Sequence, residues 1–405
     1  METKITKIIA EEIKDSRGNP TLKVKVFVGN TEDDFSDPSG ASTGIHEAHE
    51  LRDLDGKGVQ NALKEVNNII APVLIGLNVL NQKEIDRIMI ELDSTTNKDR
   101  LGGNSMIGVS IACAKVAAKV SGVEVYEHLR TLAEMKPSRK TPYLYMNLIN
   151  GGKHAKNGLA FQEYHIVPNT ENIKEAIEIG ISIDNTLKEI ILKDLGEESV
   201  IMGDEGGFAP QISDIRRPLF YLREAIKQND LEGKVRLALD VASSSFYKNN
   251  FYKIDGRDVS KEELLDIYIS LLKEFNLFSI EDPFNEEDFE SFSKLKEQND
   301  GLYIVGDDLT VTNVLLLKKA IEHKSINAMI IKPNQIGTLS ETFETMQLAR
   351  ENNIELIVSH RSGETDDDFI ADLAFAFGCF GLKAGAPTKI ERKVKYDRLI
   401  KISQI

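Results

Sequence analysis

Six short apolar runs in the last part of the chain each end on a polar side chain that can carry charge. They are LALD at Asp240, FSIE at Glu281, YIVGD at Asp307, AMIIK at Lys332, ELIVSH at His360 and GLK at Lys383. Helical patterns lie between them. Continuous apolar runs of this length read as strands buried on both faces, so the rhythm predicts a succession of βα units. Closed into a barrel, such units bring their C-terminal strand ends to one face, where chemistry sits. Three carboxylates, two lysines and a histidine are therefore expected in one pocket.

Upstream the pattern changes. Residues 4–13 and Thr21–Val28 read as a hairpin, with Leu22, Val24, Val26 and Val28 alternating and Asp15 to Pro20 as the turn. Helical spacing follows at Val59, Leu63, Val66 and Ile70, and again at Ile85, Met89 and Leu92. The stretch from Ser105 to Val120 is apolar or small on nearly every face and suits a helix buried on several sides. Met135 to Pro142 is polar and holds two prolines, which marks a boundary between an α+β N-terminal domain (1–134) and a catalytic α/β barrel domain (135–405). The barrel opens with two strand-like runs, YLYMNLI and FQEYHIV, and a long helix around 173–194, a departure from strict (βα)8 alternation.

Composition narrows the function. A net charge of −15 argues against a general nucleic-acid binder, whose surface must neutralise phosphates, but leaves an anionic small substrate open. No apolar stretch approaches a membrane span and the N-terminus lacks a secretory core, so a cytoplasmic protein is expected. Cys113 and Cys379 sit in apolar surroundings and read as inert thiols.

Asp240, Glu281 and Asp307 are the first chemical constellation. Each alone could end a strand facing solvent. Three in succession would repel one another unless a cation joined them, and Mg²⁺ prefers oxygen ligands with positions left open for substrate. Lys332 and Lys383 are either snorkelling strand-end lysines or a base and its neighbour; a base requires the ammonium form to be destabilised. The Gly203–Phe208 run sets Asp204 and Glu205 in a glycine-rich turn. Ser359–Thr365 reads as opening a helix, whose amide hydrogens, hydroxyls and Arg361 suit a phosphate. The glycine-flanked 37–44 segment reads as a lid or a linker.

Together these segments resemble the enolase family. The resemblance is carried by DSRGNPT (15–21), PSGASTG (38–44), HEAHELRD (46–53), NGGKHA (150–155), QEY (162–164), GDEGGFAP (203–210), LALDVA (237–242), SIED (279–282), VGDDLTVTN (305–313), IKPNQIGT (331–338), SHRSGET (359–365) and LKAGAP (382–387). It implies a TIM-like barrel of ββαα(βα)6 type and a lyase that dehydrates 2-phosphoglycerate to phosphoenolpyruvate in glycolysis, working as a homodimer or larger homo-oligomer. It implies that Asp240, Glu281 and Asp307 hold Mg²⁺, and that Lys332 removes the α-proton. Glu205, supported by Glu163, would help the hydroxyl leave. His154, Glu163, Glu281, Asp307, His360, Arg361, Ser362, Lys383 and Ser39 would surround the phosphorylated substrate. Ser39 would also ligate a second, substrate-dependent Mg²⁺.

One stretch departs from the family. Where enolases carry a short basic and apolar lead into PSGAST, this chain reads Gly29-Asn30-Thr31-Glu32-Asp33-Asp34-Phe35-Ser36-Asp37. Those acids either weaken lid closure by repulsion or decorate a solvated turn. Under the first alternative the chain is an enolase-like binding or scaffold protein. A further rival is another superfamily lyase or racemase acting on a different carboxylate.

Overall fold

The structure is a computed structural model that describes residues 2–40 and 43–404. Strands β1 (Lys7–Lys14) and β2 (Pro20–Val28) form the expected antiparallel hairpin, and β3 (Thr31–Ser36) adds to the open edge of β2. Leu22, Val24, Val26 and Val28 alternate into the core, as a period of two requires. They pack on the Gly103–Ser121 helix, in which every position from Gly103 to Ala114 is buried. Gly108 makes this close approach possible: a Cβ there would lie 2.7 Å from Val24 Cγ2.

The acidic stretch is not a turn beside the pocket. Glu32, Asp33 and Asp34 belong to the edge strand β3, where Asp34 faces Lys23 at 3.5 Å, Glu32 faces Lys25 and Asp33 faces Lys119, both at 3.7 Å. Exposed pairs of this kind contribute little to stability but cancel local repulsion. Only Asp37 turns inward. Burial first, and Glu50 second, pushes its carboxyl well above the usual range.

The second body is a closed eight-stranded barrel. Its strands are β4 (Tyr143–Asn150), β5 (Glu163–Pro168), β6 (Val235–Asp240), β10 (Ser279–Glu281), β11 (Tyr303–Gly306), β12 (Ala328–Ile331), β13 (Glu355–Ser359) and β14 (Gly381–Lys383). The intervening β7 (Tyr247–Lys248), β8 (Phe251–Ile254) and β9 (Arg257–Val259) form a small separate sheet that hydrophobic periodicity does not reveal. β5 runs antiparallel to both β4 and β6, whereas the remaining pairs, including the closing β14–β4 pair, are parallel. Two helices, Ile173–Leu195 and Arg217–Gln228, follow β5 before alternation becomes regular. This is the ββαα(βα)6 order.

Beneath the strand ends the barrel is filled by Tyr145, Val167, Ala238, Val305, Ala328, Ile330, Ile357 and Phe380. Gly381, paired with Tyr143, leaves room for the Tyr145 ring, and a Cβ there would sit 2.8 Å from that ring. A packed interior of this kind cannot bind ligand, so function is confined to the rim.

The two bodies are joined by buried polar contacts. Asp86 accepts from Ser110 Oγ, Gln82 Nε2, and both the amide and hydroxyl of Ser340 at the start of the Leu339–Glu351 helix. Arg398 bridges Asp372 and Glu124, and Lys115 pairs with Asp367 at 2.8 Å. The β1–β2 turn reaches the rim directly: Ser16 N–H donates to the Glu364 carbonyl, and Ser16 Oγ accepts from Glu364 N–H.

Candidate active site

Strand register explains why the acids meet. Asp240 ends β6, Glu281 ends β10 directly opposite it, and Asp307 follows β11 on the next strand over. Glu163 on β5 is paired with Asp240 from the other side. One cleft is lined by His154, Glu163, Glu205, Asp240, Asp307, Lys332, His360, Arg361, Ser362 and Lys383. Glu281 joins them through Lys383, whose Nζ donates to Glu281 Oε1 and Oε2 at 2.9 and 3.0 Å and to Asp240 Oδ2 at 2.8 Å. Glu163 Oε1 is 3.4 Å from the same ammonium.

Burial disfavours a charged Lys383, but Asp240, Glu163 and Glu281 outweigh it and hold its pKa well above the ordinary lysine value. Lys332 behaves alike. Burial acts against its ammonium, yet its ion pair with Asp307 raises the pKa above normal. The depressed lysine expected of a base is therefore absent from this arrangement, because Asp307 is spent on Lys332. Even with both lysines in place the acids are under-neutralised: desolvation, and then Asp240, keep the Glu281 carboxyl well above its usual range.

That donor set fits a hard divalent cation. All its ligands are oxygens, and withdrawing carboxylate charge onto a cation would relieve both Glu281 and Lys332. Two tighter groups, with ligand atoms within 4.8 Å of one another, are His154 with Glu163 and Glu205, and Asp282 with Asp307 and Asp308. Asp282 sits at a positive φ of 42°, and its carboxylate accepts the Asp307 and Asp308 amides at 3.0 and 2.7 Å. It thereby aims the two following acids.

The second chemical feature is a split carboxyl pair. Burial, followed by Glu205, pushes Glu163 well above the carboxylate range. Glu205 is also buried, but His360 and His154 outweigh desolvation and hold it well below that range. One carboxyl is thus disposed to carry a proton and its neighbour a charge, an acid–base division set by environment. Asn147 Nδ2 donates to Glu205 Oε2 at 3.0 Å, and His360 Nε2 lies 3.2 Å from the same oxygen. Arg392 donates to His360 Nδ1 at 2.7 Å, so the neutral ring carries its proton on Nε2, facing Glu205. Glu205 reaches the cleft because Gly206 takes a φ of 91° and turns the chain sharply after it.

Ser39 is placed elsewhere. Its hydroxyl donates to Asp15 Oδ2 at 2.8 Å and accepts from Arg17 Nη2 at 3.0 Å, while its backbone exchanges two hydrogen bonds with Gly363. It roots the 38–44 segment rather than joining the acids. The segment's other serine, Ser42, lies outside the described residues. Ser359–Thr365 does not open a helix either: the next helix spans Phe369–Ala376. Thr365 Oγ1 donates to the Ser36 carbonyl and the Ser362 carbonyl accepts from Arg392, contacts that tie this loop to other parts of the chain.

Several site residues carry no mark in the sequence pattern. Arg392 lies in IERKVKYDR, which reads as a solvated helix face, yet it is fully buried and donates to the Arg361 and Ser362 carbonyls. Glu47 pairs with Arg361 at 2.9 Å and accepts from Gly44 N–H. Gln335 donates to Asp307 Oδ1 at 2.9 Å and to Glu47 Oε1 at 3.4 Å. For Glu47 and Gln335 the one available signal is their position inside resembling motifs.

Comparisons with known proteins agree with this geometry. Residues 5–129 match the family model described as Enolase, N-terminal domain, and residues 138–405 match Enolase, C-terminal TIM barrel domain. The chain is 48% identical to the enolase of Methanocaldococcus jannaschii over 99% of its own length and 95% of the relative's. It is 46% identical to the enolase of Methanosarcina barkeri, covering 100% and 95% of the two chains. It is 44% identical to enolase B of Dictyostelium discoideum, covering 99% and 94%. With both domain models matched in order and relatives aligned almost end to end, the chain belongs to the enolase family.

Proposed function

We propose that this chain catalyses the reversible, Mg²⁺-dependent dehydration of 2-phosphoglycerate to phosphoenolpyruvate, a hydro-lyase step of glycolysis and gluconeogenesis, in the cytoplasm and as a homo-oligomer. The observation that carries this reading is a single cleft holding Lys332, the split pair Glu163 and Glu205, and more buried acid than its own lysines neutralise. The proposed division into 1–134 and 135–405 assigns all of these to the barrel.

Lys332 Nζ, once Asp307 releases its ion pair, takes the proton from C2. The substrate carboxyl gains a second negative charge, which water alone stabilises poorly. As the C2–C3 double bond forms, the C3–O bond breaks and the oxygen leaves as water with a proton from the Glu163–Glu205 pair, near His154. Mg²⁺ held by Asp240, Glu281 and Asp307 would supply the positive charge that favours this carboxyl as it forms. Lys383 keeps its ammonium beside the same acids, His360 orients Glu205, and Arg361 with Ser362 receives the phosphate. General acid–base groups alone contribute about 10²–10⁴-fold, so electrostatic stabilisation must account for much of the rest.

Ser39 keeps the role the resemblance implies, as loop ligand to a second, substrate-dependent Mg²⁺. Here its hydroxyl and backbone bond Asp15, Arg17 and Gly363, and binding of that ion would require the hydroxyl to exchange those partners as the lid closes. The lysine-paired acids of β3 remove the motive for a catalytically weakened scaffold.

The test is a steady-state assay of phosphoenolpyruvate absorbance. EDTA should stop the reaction and Mg²⁺ should restore it. A rate indifferent to chelation would overturn the reading, as would turnover of a different carboxylate with none of 2-phosphoglycerate.

A further inference from the structure

His165 takes no part in the mechanism above, yet it lies two residues along β5 from Glu163 and therefore on the same, inward face of the barrel. Both side chains are buried. His165 Nε2 is 2.9 Å from Glu163 Oε2, and its Nδ1 is buried with no hydrogen-bond partner among the described residues. The ring stands edge-on to Tyr145 at a centroid distance of 6.0 Å, which holds its plane. A neutral imidazole carries one proton, and the two tautomers are unequal here. A proton on Nδ1 would be a buried N–H with no acceptor, whereas a bare Nδ1 is the milder defect. The proton therefore belongs on Nε2, donated to Glu163 Oε2.

We infer that His165 is a positioning residue that occupies the lower oxygen of Glu163 and thereby presents Oε1, with any proton Glu163 carries, to the cleft. Oε1 is the oxygen 3.4 Å from Lys383 Nζ and 3.5 Å from His154 Nδ1. The geometry serves either charge state: as a carboxylate Glu163 gains a donor, and as an acid it is denied the unproductive site for its proton. The inference rests on the reading that Glu163 acts with Glu205 in loss of the hydroxyl.

It predicts a selective defect. Lys332 abstracts the C2 proton without help from Glu163, so His165→Leu should leave exchange of the C2 hydrogen with D₂O within about twofold. Formation of phosphoenolpyruvate should slow by about 10-fold or more, the size expected for one hydrogen bond to a catalytic carboxyl, with KM little changed. His165→Gln, whose amide reaches about as far as Nε2, should recover most of the rate. Should the leucine variant fail to fold, His165→Asn, too short to reach Glu163, makes the same test. Glu163→Gln is the control. If it slows dehydration selectively and His165→Leu does not, the positioning role is overturned. That role is equally lost if His165→Leu depresses exchange and dehydration alike and glutamine gives no rescue, since such behaviour marks a merely structural residue. If Glu163→Gln itself leaves dehydration intact, the reading of Glu163 fails and takes the inference with it.

Discussion

Two acidic regions of this chain look alike in sequence and behave oppositely. On β3, Glu32, Asp33 and Asp34 stand at the edge of a sheet, each within 3.7 Å of a separate lysine and at least partly open to water. On the barrel rim, Asp240, Glu281 and Asp307 are buried, and Lys383 is shared between Asp240, Glu281 and Glu163. Solvent screens the first set, so each charge is nearly independent. Burial couples the second, so altering one group moves all the others. Chemistry follows coupling, and acidic content alone says nothing about it.

Breaking the rim should have the largest effect. Lys332→Ala removes the proton acceptor and frees Asp307, and kcat should fall by about 10²–10⁴-fold or more while KM changes by only a few fold. Exchange of the C2 hydrogen should vanish with it. Near-normal turnover would show that the coupled rim lacks the role assigned to it.

Asp86 sharpens the comparison, being buried with amide and hydroxyl partners but, among the described residues, no cation against its carboxylate. Burial raises its pKa from 3.8 to about 6 despite those bonds, the hydroxyl of Ser340 being the strongest counterweight. The sign is that of a raised acid: the folded state binds the proton more tightly. Its contribution to stability is present below about pH 4 and is lost as pH rises through about 6, to the extent of about 3 kcal/mol. Urea unfolding of the chain and of Asp86→Asn between pH 4 and 7 should therefore differ in slope, with the variant flatter. Parallel curves would mean that Asp86 titrates normally.

The smallest effect is expected on β3. Replacing Glu32, Asp33 and Asp34 together by their amides should leave kcat/KM within about twofold and stability within about 1 kcal/mol. A marked gain in activity would revive the idea that these acids oppose the lid, and would erase the contrast between the two regions.

Much of the architecture is legible along the chain. The hairpin, the buried helix at 103–121 and the barrel strands follow from short-range periodicity, because strand and helix faces repeat within a few residues. The charged strand ends are visible for the same reason, since a polar group closing an apolar run stands out. Arg392 and His165 are not. One hides in a helix that reads as solvated, and the other interrupts an apolar strand without any local mark. The Ser359–Thr365 segment reads as a helix start, yet its polar groups are claimed by the β1–β2 turn and Ser36, contacts that span most of the chain.

Order along the polymer thus settled the first hairpin, the barrel strands and which of those strands end in charge, since those properties depend on neighbours a few positions away. Whether a given acid is screened or coupled, which lysine it meets and which histidine lies beneath it were settled by barrel closure. Closure brings residues more than a hundred positions apart, such as Lys383 and Asp240, within 2.8 Å where water no longer screens them.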